Sequence, residues 1–365
     1  MEQRARCQFS RAPREEDLQK HPSEAAAPAA GRSEEDLPNE QGLALGLRLL
    51  AAGPVLILLV LAVLLGLSTP HFLSGRNLSN ILAQTAVISV VAMGQHLVIL
   101  TRGIDLSVGS TLALASVCGA LWFHAGGGTI SVVAVMLTVG AFVGAVNGCV
   151  FVYGRLPHPF LITLAMLSIA KGLALQLSDG RAVQGMPEAI RWLGRDGLYG
   201  LPGSVLVVIA TAVVLWVLTQ KMVWGRWLYA VGGRQDAASR MGIPVNGVLI
   251  SCYVLSGLCG GIGAVILAGR TDAGSPLYGS LLELDTIASV IIGGASFLGG
   301  RGHLGHALVG ALMIGVIRNA LNLLNVGIFL QLIVIGVVIV IAVESDVLRT
   351  HLEGRMRSLR AGKPA

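Results

Sequence analysis

Apolar residues do not alternate along this chain, and they do not recur every three or four positions over short stretches. They come in blocks of about 17 to 25 residues, separated by short polar breaks, from about residue 49 onward. A block of that length spans roughly 30 Å of hydrocarbon as a helix. Backbone amides in lipid have no water to bond, so each block is expected to close its hydrogen bonds internally as α-helix. Ten such helices are predicted, at roughly 49–68, 80–100, 105–123, 129–153, 159–178, 204–220, 247–268, 283–299, 303–323 and 326–343. The predicted fold class is an all-α integral membrane protein of about ten transmembrane helices, with a glycine-interrupted segment in each half.

Composition agrees with this pattern. Hydrophobic residues make up 54% of the chain and charged residues 13%, which is more apolar surface than a soluble globule of 365 residues can bury. The 48 glycines are placed in two ways. In "VGAFVGAVNGCV", Gly140, Gly144 and Gly148 recur every four residues and line one helix face, where a neighbouring backbone can approach closely. In "GGASFLGGRGHLGH" and "TRGIDLSVGS" they interrupt the apolar pattern. Paired interruptions of this kind mark a transport pathway or its gate. Gly103, Asp105, Ser107, Gly109, Gly293, Gly294, Gly299 and Gly300 are therefore the pathway or gate candidates.

The formal charge of +6 reads as topology. With both termini cytoplasmic, the inner segments collect Arg102, Arg155, Lys221, Arg226, Arg234, Arg240 and Arg301. The outer loops hold Arg76, Arg181, Arg191, Arg195 and Arg270, diluted by Asp179, Glu188, Asp196 and Asp272. No basic stripe with interleaved aromatics suggests a nucleic acid. Residues 1–45, rich in Glu, Pro, Ala and Ser, are expected to be a disordered cytoplasmic tail and not a signal peptide. Residues 46–346 are expected to form one transmembrane domain, with a cytoplasmic segment at 221–246, and 347–365 a basic cytoplasmic tail.

Candidate chemistry is sparse. The five cysteines show no metal or disulfide spacing, and His303 and His306 read as an interfacial pair. No phosphate loop, H-E-x-x-H or G-x-S-x-G occurs, so the chain is not expected to hydrolyse ATP itself or to be an enzyme, and no cofactor of its own is expected. Arg318 is expected to pair with Asp285 or Glu283, because an unpaired charge at that depth is costly. Asp105, just before an apolar helix, can accept from free amides at its start, and Arg102 lies three residues away as a possible partner. In "RQDAASRM", helix formers follow Gly233 and stop at Gly242 and Pro244, so a short exposed helix forms in the largest inner loop.

"GIDLSVGS" resembles the signature of the permease subunits of ribose, xylose and arabinose type ABC importers, a bacterial family related to the branched-chain amino-acid permeases. "GRWLYAVGGRQDAASRMGI" resembles the family's cytoplasmic coupling segment. "ELDTIASVIIGGASFLGGRG", followed by "RNALNLLNV", resembles its carboxy-terminal hallmark. The three occur in the family's order between about residues 50 and 346. Arg234 and Asp236 stand where the family commonly has Asn and Glu. The resemblance implies a bacterial inner-membrane permease in the lipid bilayer, paired with a second copy of itself or a paralogous permease. It also implies an ABC ATPase subunit that carries ATP and Mg, and a periplasmic or lipid-anchored sugar-binding protein. Coupling to the ATPase would fall on Gly233, Asp236, Ala237, Ala238 and Gly242. Branched-chain amino-acid or nucleoside permeases of the same class, and an ion-coupled secondary transporter, remain the alternatives.

Overall fold

The computed structural model describes residues 55–361, apart from 57, 68, 70, 196, 199 and 200. The expected tail at 1–45 lies outside the described residues. The molecule is an all-α multi-pass membrane bundle. Its helices are α1 (Leu58–Leu67), α2 (Gly75–Leu100), α3 (Val108–His124), α4 (Thr129–Tyr153), α5 (Phe160–Leu177), α6 (Glu188–Arg195), α7 (Gly203–Gln220), α8 (Val223–Gly233), α9 (Gln235–Arg240), α10 (Val245–Thr271), α11 (Leu282–Ile292), α12 (Leu304–Leu323) and α13 (Ile328–Ala361). Two-residue strands β1 (Val183–Gln184) and β4 (Ala273–Gly274) pair antiparallel, as do β2 (Gly197–Leu198) and β3 (Leu201–Pro202).

Among the described residues six helices are long and apolar enough to cross a membrane: α2, α4, α5, α7, α10 and α12. The apolar parts of α1, α3 and α13 are shorter. Ten full-length spans were expected, and the shortfall has local causes. The stretch expected at 283–299 is helical only to Ile292, because Gly294, Gly299, Gly300 and Gly302 all take positive φ. The stretch expected from 105 becomes helix only at Val108. The last helix continues past 346 to Ala361, so most of the expected tail from 347 is helical.

Helices α2 and α10 form the centre. They are the most buried of the six, at 83% and 67% of their apolar windows, whereas α5 and α7 are covered over only 22%. Close approach of small residues explains the packing. A β-carbon at Gly94 of α2 would lie 2.8 Å from Cys259 Cβ and 2.9 Å from Ser256 Cα of α10. On the other side of α10, the stripe Gly140, Gly144 and Gly148 of α4 meets Gly257, Tyr253 and Ile250 backbone to backbone. A β-carbon at Gly140 would fall on the Gly257 carbonyl, and one at Gly257 on the Gly140 carbonyl. With no hydrophobic effect between helices in lipid, this contact and the dispersion it permits supply the association energy.

One end of α10 is held by α6. Gly194 and Gly269 admit backbone contact there, Arg195 Nε donates to Arg270 O (2.9 Å), and Arg191 faces Asp272 at 3.8 Å. Asp272 ends α10 in the left-handed conformation and accepts from Met186 N (2.8 Å). The opposite end of α10 follows α8 and α9, so the bundle has two different faces.

Candidate functional site

The two glycine-interrupted segments meet. Thr101 ends α2, and Arg102 turns the chain with φ 66, a conformation uncommon for a residue with a β-carbon. Its guanidinium then crosses to the end of α8, where Nε donates to Gly232 O (2.9 Å) and Nη2 donates to Gly233 O. These carbonyls belong to the last turn of α8 and have no helical partner further on, so a cation there both caps the helix and opposes its negative dipole end. The loop after α11 joins the same junction: Gly300 N donates to Leu100 O (2.9 Å). Three backbones cross within contact distance. A β-carbon at Gly232 would fall on the Leu100 carbonyl and lie 2.8 Å from Gly300 N, and one at Gly299 would strike the Arg102 side chain.

Tyr229 of α8 donates from its hydroxyl to Gly302 O (3.0 Å) and so bonds α8 directly to the loop after α11. Burial pushes the Tyr229 phenol up from its ordinary value, so it keeps the proton it donates. Gly293 lies at the far end of the loop in ordinary right-handed conformation. Its place is required by packing, since a β-carbon would meet the His306 carbonyl of α12.

Asp105 occupies a separate, buried pocket behind this junction. Its Oδ1 accepts from Ser107 N (3.0 Å) and Ser107 Oγ (2.7 Å), and its Oδ2 accepts from Ser256 Oγ of α10 (3.1 Å). Asn147 Nδ2 of α4 donates to Ser107 Oγ (2.9 Å). The Gln95 amide, with Nε2 donating to Asp105 O (3.1 Å) and Oε1 accepting from Asp105 N (3.2 Å), clamps the backbone. The break is thus tied to α2, α4 and α10 at once. Arg102 is not the partner of Asp105, because its guanidinium is directed to α8, where it bonds the Gly232 and Gly233 carbonyls. Nor does Asp105 cap α3 directly: Ser107 holds the cap position, and Asp105 reaches the helix through it.

Gly109, in the first turn of α3, packs on Gly279 so closely that neither admits a β-carbon. Arg318 of α12 makes a forked ion pair with Asp285, Nη2 lying 2.8 Å from Oδ1 and 2.6 Å from Oδ2. Glu283 takes no part in it.

The short helix α9 follows α8 through Arg234, whose extended backbone separates the two. Gly233, Asp236 and Gly242 are exposed, Ala237 is half-buried and Ala238 is fully buried. Ala238 therefore anchors α9 inward, and its carbonyl accepts from Ile243 N (3.1 Å). The outward face is made by Gln235, Asp236, Ser239 and Arg240, with Met241 70% exposed beyond it. The sequence pattern of two adjacent small residues could not reveal which of them points in. It also did not single out Arg102 as the fastener to α8 or Tyr229 as its second bond.

Comparison with known proteins places this arrangement. The family described as branched-chain amino acid transport system / permease component matches residues 77–343, which include both interruptions, α8 and α9. The chain belongs to this permease family. Similar members include the ribose import permease protein RbsC of Bacillus subtilis (strain 168), 39% identical over 80% of this chain and 92% of that protein. The D-allose transport system permease protein AlsC of Escherichia coli (strain K12) is 38% identical over 80% of this chain and 90% of that protein. The L-arabinose ABC transporter permease protein AraH of Azospirillum brasilense is 33% identical over 84% of this chain and 90% of that protein. No solved structure matches. In this permease, Arg102, immediately before "GIDLSVGS", meets the ends of the other two hallmark segments at one junction, Gly232 and Gly233 of α8 and Gly299 and Gly300 of the loop after α11.

Proposed function

We propose that this permease subunit imports a monosaccharide or related polyol delivered by an extracytoplasmic binding protein. It works in an assembly with a second permease copy or a paralogue and a separate ABC ATPase that holds ATP and Mg. The observation that carries the reading is full-length similarity to permeases named for ribose, allose and arabinose, at 33–39% identity over at least 90% of their lengths. The family description names branched-chain amino acids, which keeps that solute class as the second reading.

The geometry supports a mechanism. The outward face of α9 receives the ATPase, and a single extended residue, Arg234, joins α9 to α8. Because Arg102 and Tyr229 bond α8 to both interrupted segments, a shift of α9 is transmitted to residues 101–107 and 293–302 without passing through a flexible loop. Those segments are the inner gate of the path. The bundle completes ten crossings when α1, α3, α11 and α13 are counted with the six longer helices, and both termini lie in the cytoplasm of a bacterial inner membrane.

The test is uptake by the reconstituted assembly of permease, ATPase and binding protein in proteoliposomes. ATP-dependent accumulation of labelled D-ribose, D-allose or L-arabinose is expected. Accumulation of leucine or a nucleoside and none of the sugars would transfer the assignment to the second reading. Uptake by the permease alone, driven by an ion gradient, would overturn both.

A further inference from the structure

The ion pair Arg318–Asp285 is closed on itself, but a second pair of charges nearby is not. Lys171 lies eleven residues into α5 and six before its end, so at 1.5 Å per residue it sits about 9 Å inside the span. Its Nζ donates to Pro276 O (2.6 Å), which leaves two of its three donors unspent in the bonds the fold provides. Glu283 opens α11 beside the first turn of α3. The Gly109–Gly279 contact brings its Oε2 to within 2.9 Å of where a β-carbon of Gly109 would stand. Lys171 and Asp285 are the charged groups that act on it, and no ion pair to Glu283 forms among the described residues.

Around these groups the surface of the single chain is open. Ser280 is exposed, as are Leu277, Leu281 and Leu284 at 66%, 40% and 42%. An ammonium and a carboxylate facing hydrocarbon are costly, whereas the same groups on a water-filled path cost little. Apolar neighbours beside them suit contact with a second copy. The patch thus has the composition of a path wall and not of a lipid-facing surface.

Resting on the importer reading above, we propose that Lys171 and Glu283 line the solute path, where the carboxylate accepts from and the ammonium donates to the hydroxyls of a neutral polyhydroxylated solute. A charge of each sign serves hydroxyl groups, which both donate and accept, and their opposite signs leave the wall neutral. The same two charges also complement a zwitterionic amino acid, so the choice of a polyhydroxylated solute rests on the importer reading and not on this pair.

The test uses the full assembly in proteoliposomes, with the five native cysteines replaced by alanine. Single cysteines at Lys171, Glu283 and Ser280 are treated with a membrane-impermeant cationic methanethiosulfonate. All three should react, and Leu173→Cys, roughly opposite Lys171 around α5, should not. Failure of all three to react, while a cysteine at exposed Arg181 reacts, overturns the proposal. In the native-cysteine background, Glu283→Gln and Lys171→Met should lower maximal uptake of labelled D-ribose, D-allose or L-arabinose about tenfold, with ATP hydrolysis retained. Uptake at the unsubstituted level in both variants also overturns it. If the unsubstituted assembly imports none of these sugars, the importer reading fails by itself, and the labelling contrast still decides whether this surface is a path wall. Ser280→Cys keeps that contrast readable should either charge replacement fail to assemble.

Discussion

Replacing Gly144 with alanine tests the backbone contact between α4 and α10 with the smallest possible change. A β-carbon there would fall on the Tyr253 carbonyl oxygen, and it would lie 2.8 Å from Tyr253 C and 3.0 Å from Val254 Cα. Ordinary contact begins near 3.4 Å, so clearing the Tyr253 carbonyl oxygen requires α4 to retreat from α10 by more than about 1 Å. The obstructing atoms are backbone and cannot rotate away. That retreat also opens the neighbouring contacts at Gly140 and Gly148, so the loss is shared along the stripe. Overpacking of this sort costs about 1–3 kcal/mol. Gly172 of α5 provides the matched control, because a β-carbon there meets nothing within 4 Å. Gly172→Ala removes backbone freedom without a clash and should be neutral or stabilising by up to about 1 kcal/mol. The measurement is thermal stability in detergent, read by fluorescence-detected size exclusion. Gly144→Ala should melt several degrees lower, with Gly144→Leu failing to assemble. Equal melting temperatures for Gly144→Ala and Gly172→Ala would show that the α4–α10 backbones do not touch as described.

Arg102→Ala should leave membrane yield near normal but reduce ATP-driven uptake about tenfold or more, since both bonds to the end of α8 go at once; unchanged coupling of hydrolysis to uptake would remove Arg102 from the transmission path. On α9, Ser239→Arg should weaken co-purification with the ATPase at normal expression, whereas Ala238→Arg should lower expression, because Ala238 is buried within the permease; the opposite pattern would reverse the face assigned to docking. Asp285→Asn should destabilise by about 3 kcal/mol, because Arg318 loses its charged partner. Pairing Asp285→Leu with Arg318→Met should recover most of that loss in the same melting assay, and a double variant no better than the single one would refute the pair as a closed unit.

Membrane class, the major helices and the hallmark segments were legible in the chain because lipid imposes a local rule. A helix must be apolar over its length and satisfy its own backbone, so sequence near each position suffices. For the same reason the stripe at Gly140, Gly144 and Gly148 announced a packed face by its spacing alone. Its partner on α10 is a tertiary fact, as is the junction of residues 101–110, α8 and 293–302, whose Arg102 bonds lie 130 and 131 positions apart in the chain. The same holds for the choice between Asp285 and Glu283 as partner of Arg318. Both acids stand in the first turn of α11, two residues apart, and helical geometry turns them about 200° from one another, so only one can face α12. Composition and spacing determine which residues must find partners out of water. Which partner each one meets depends on how the helices cross, and that is set jointly by every close contact in the bundle.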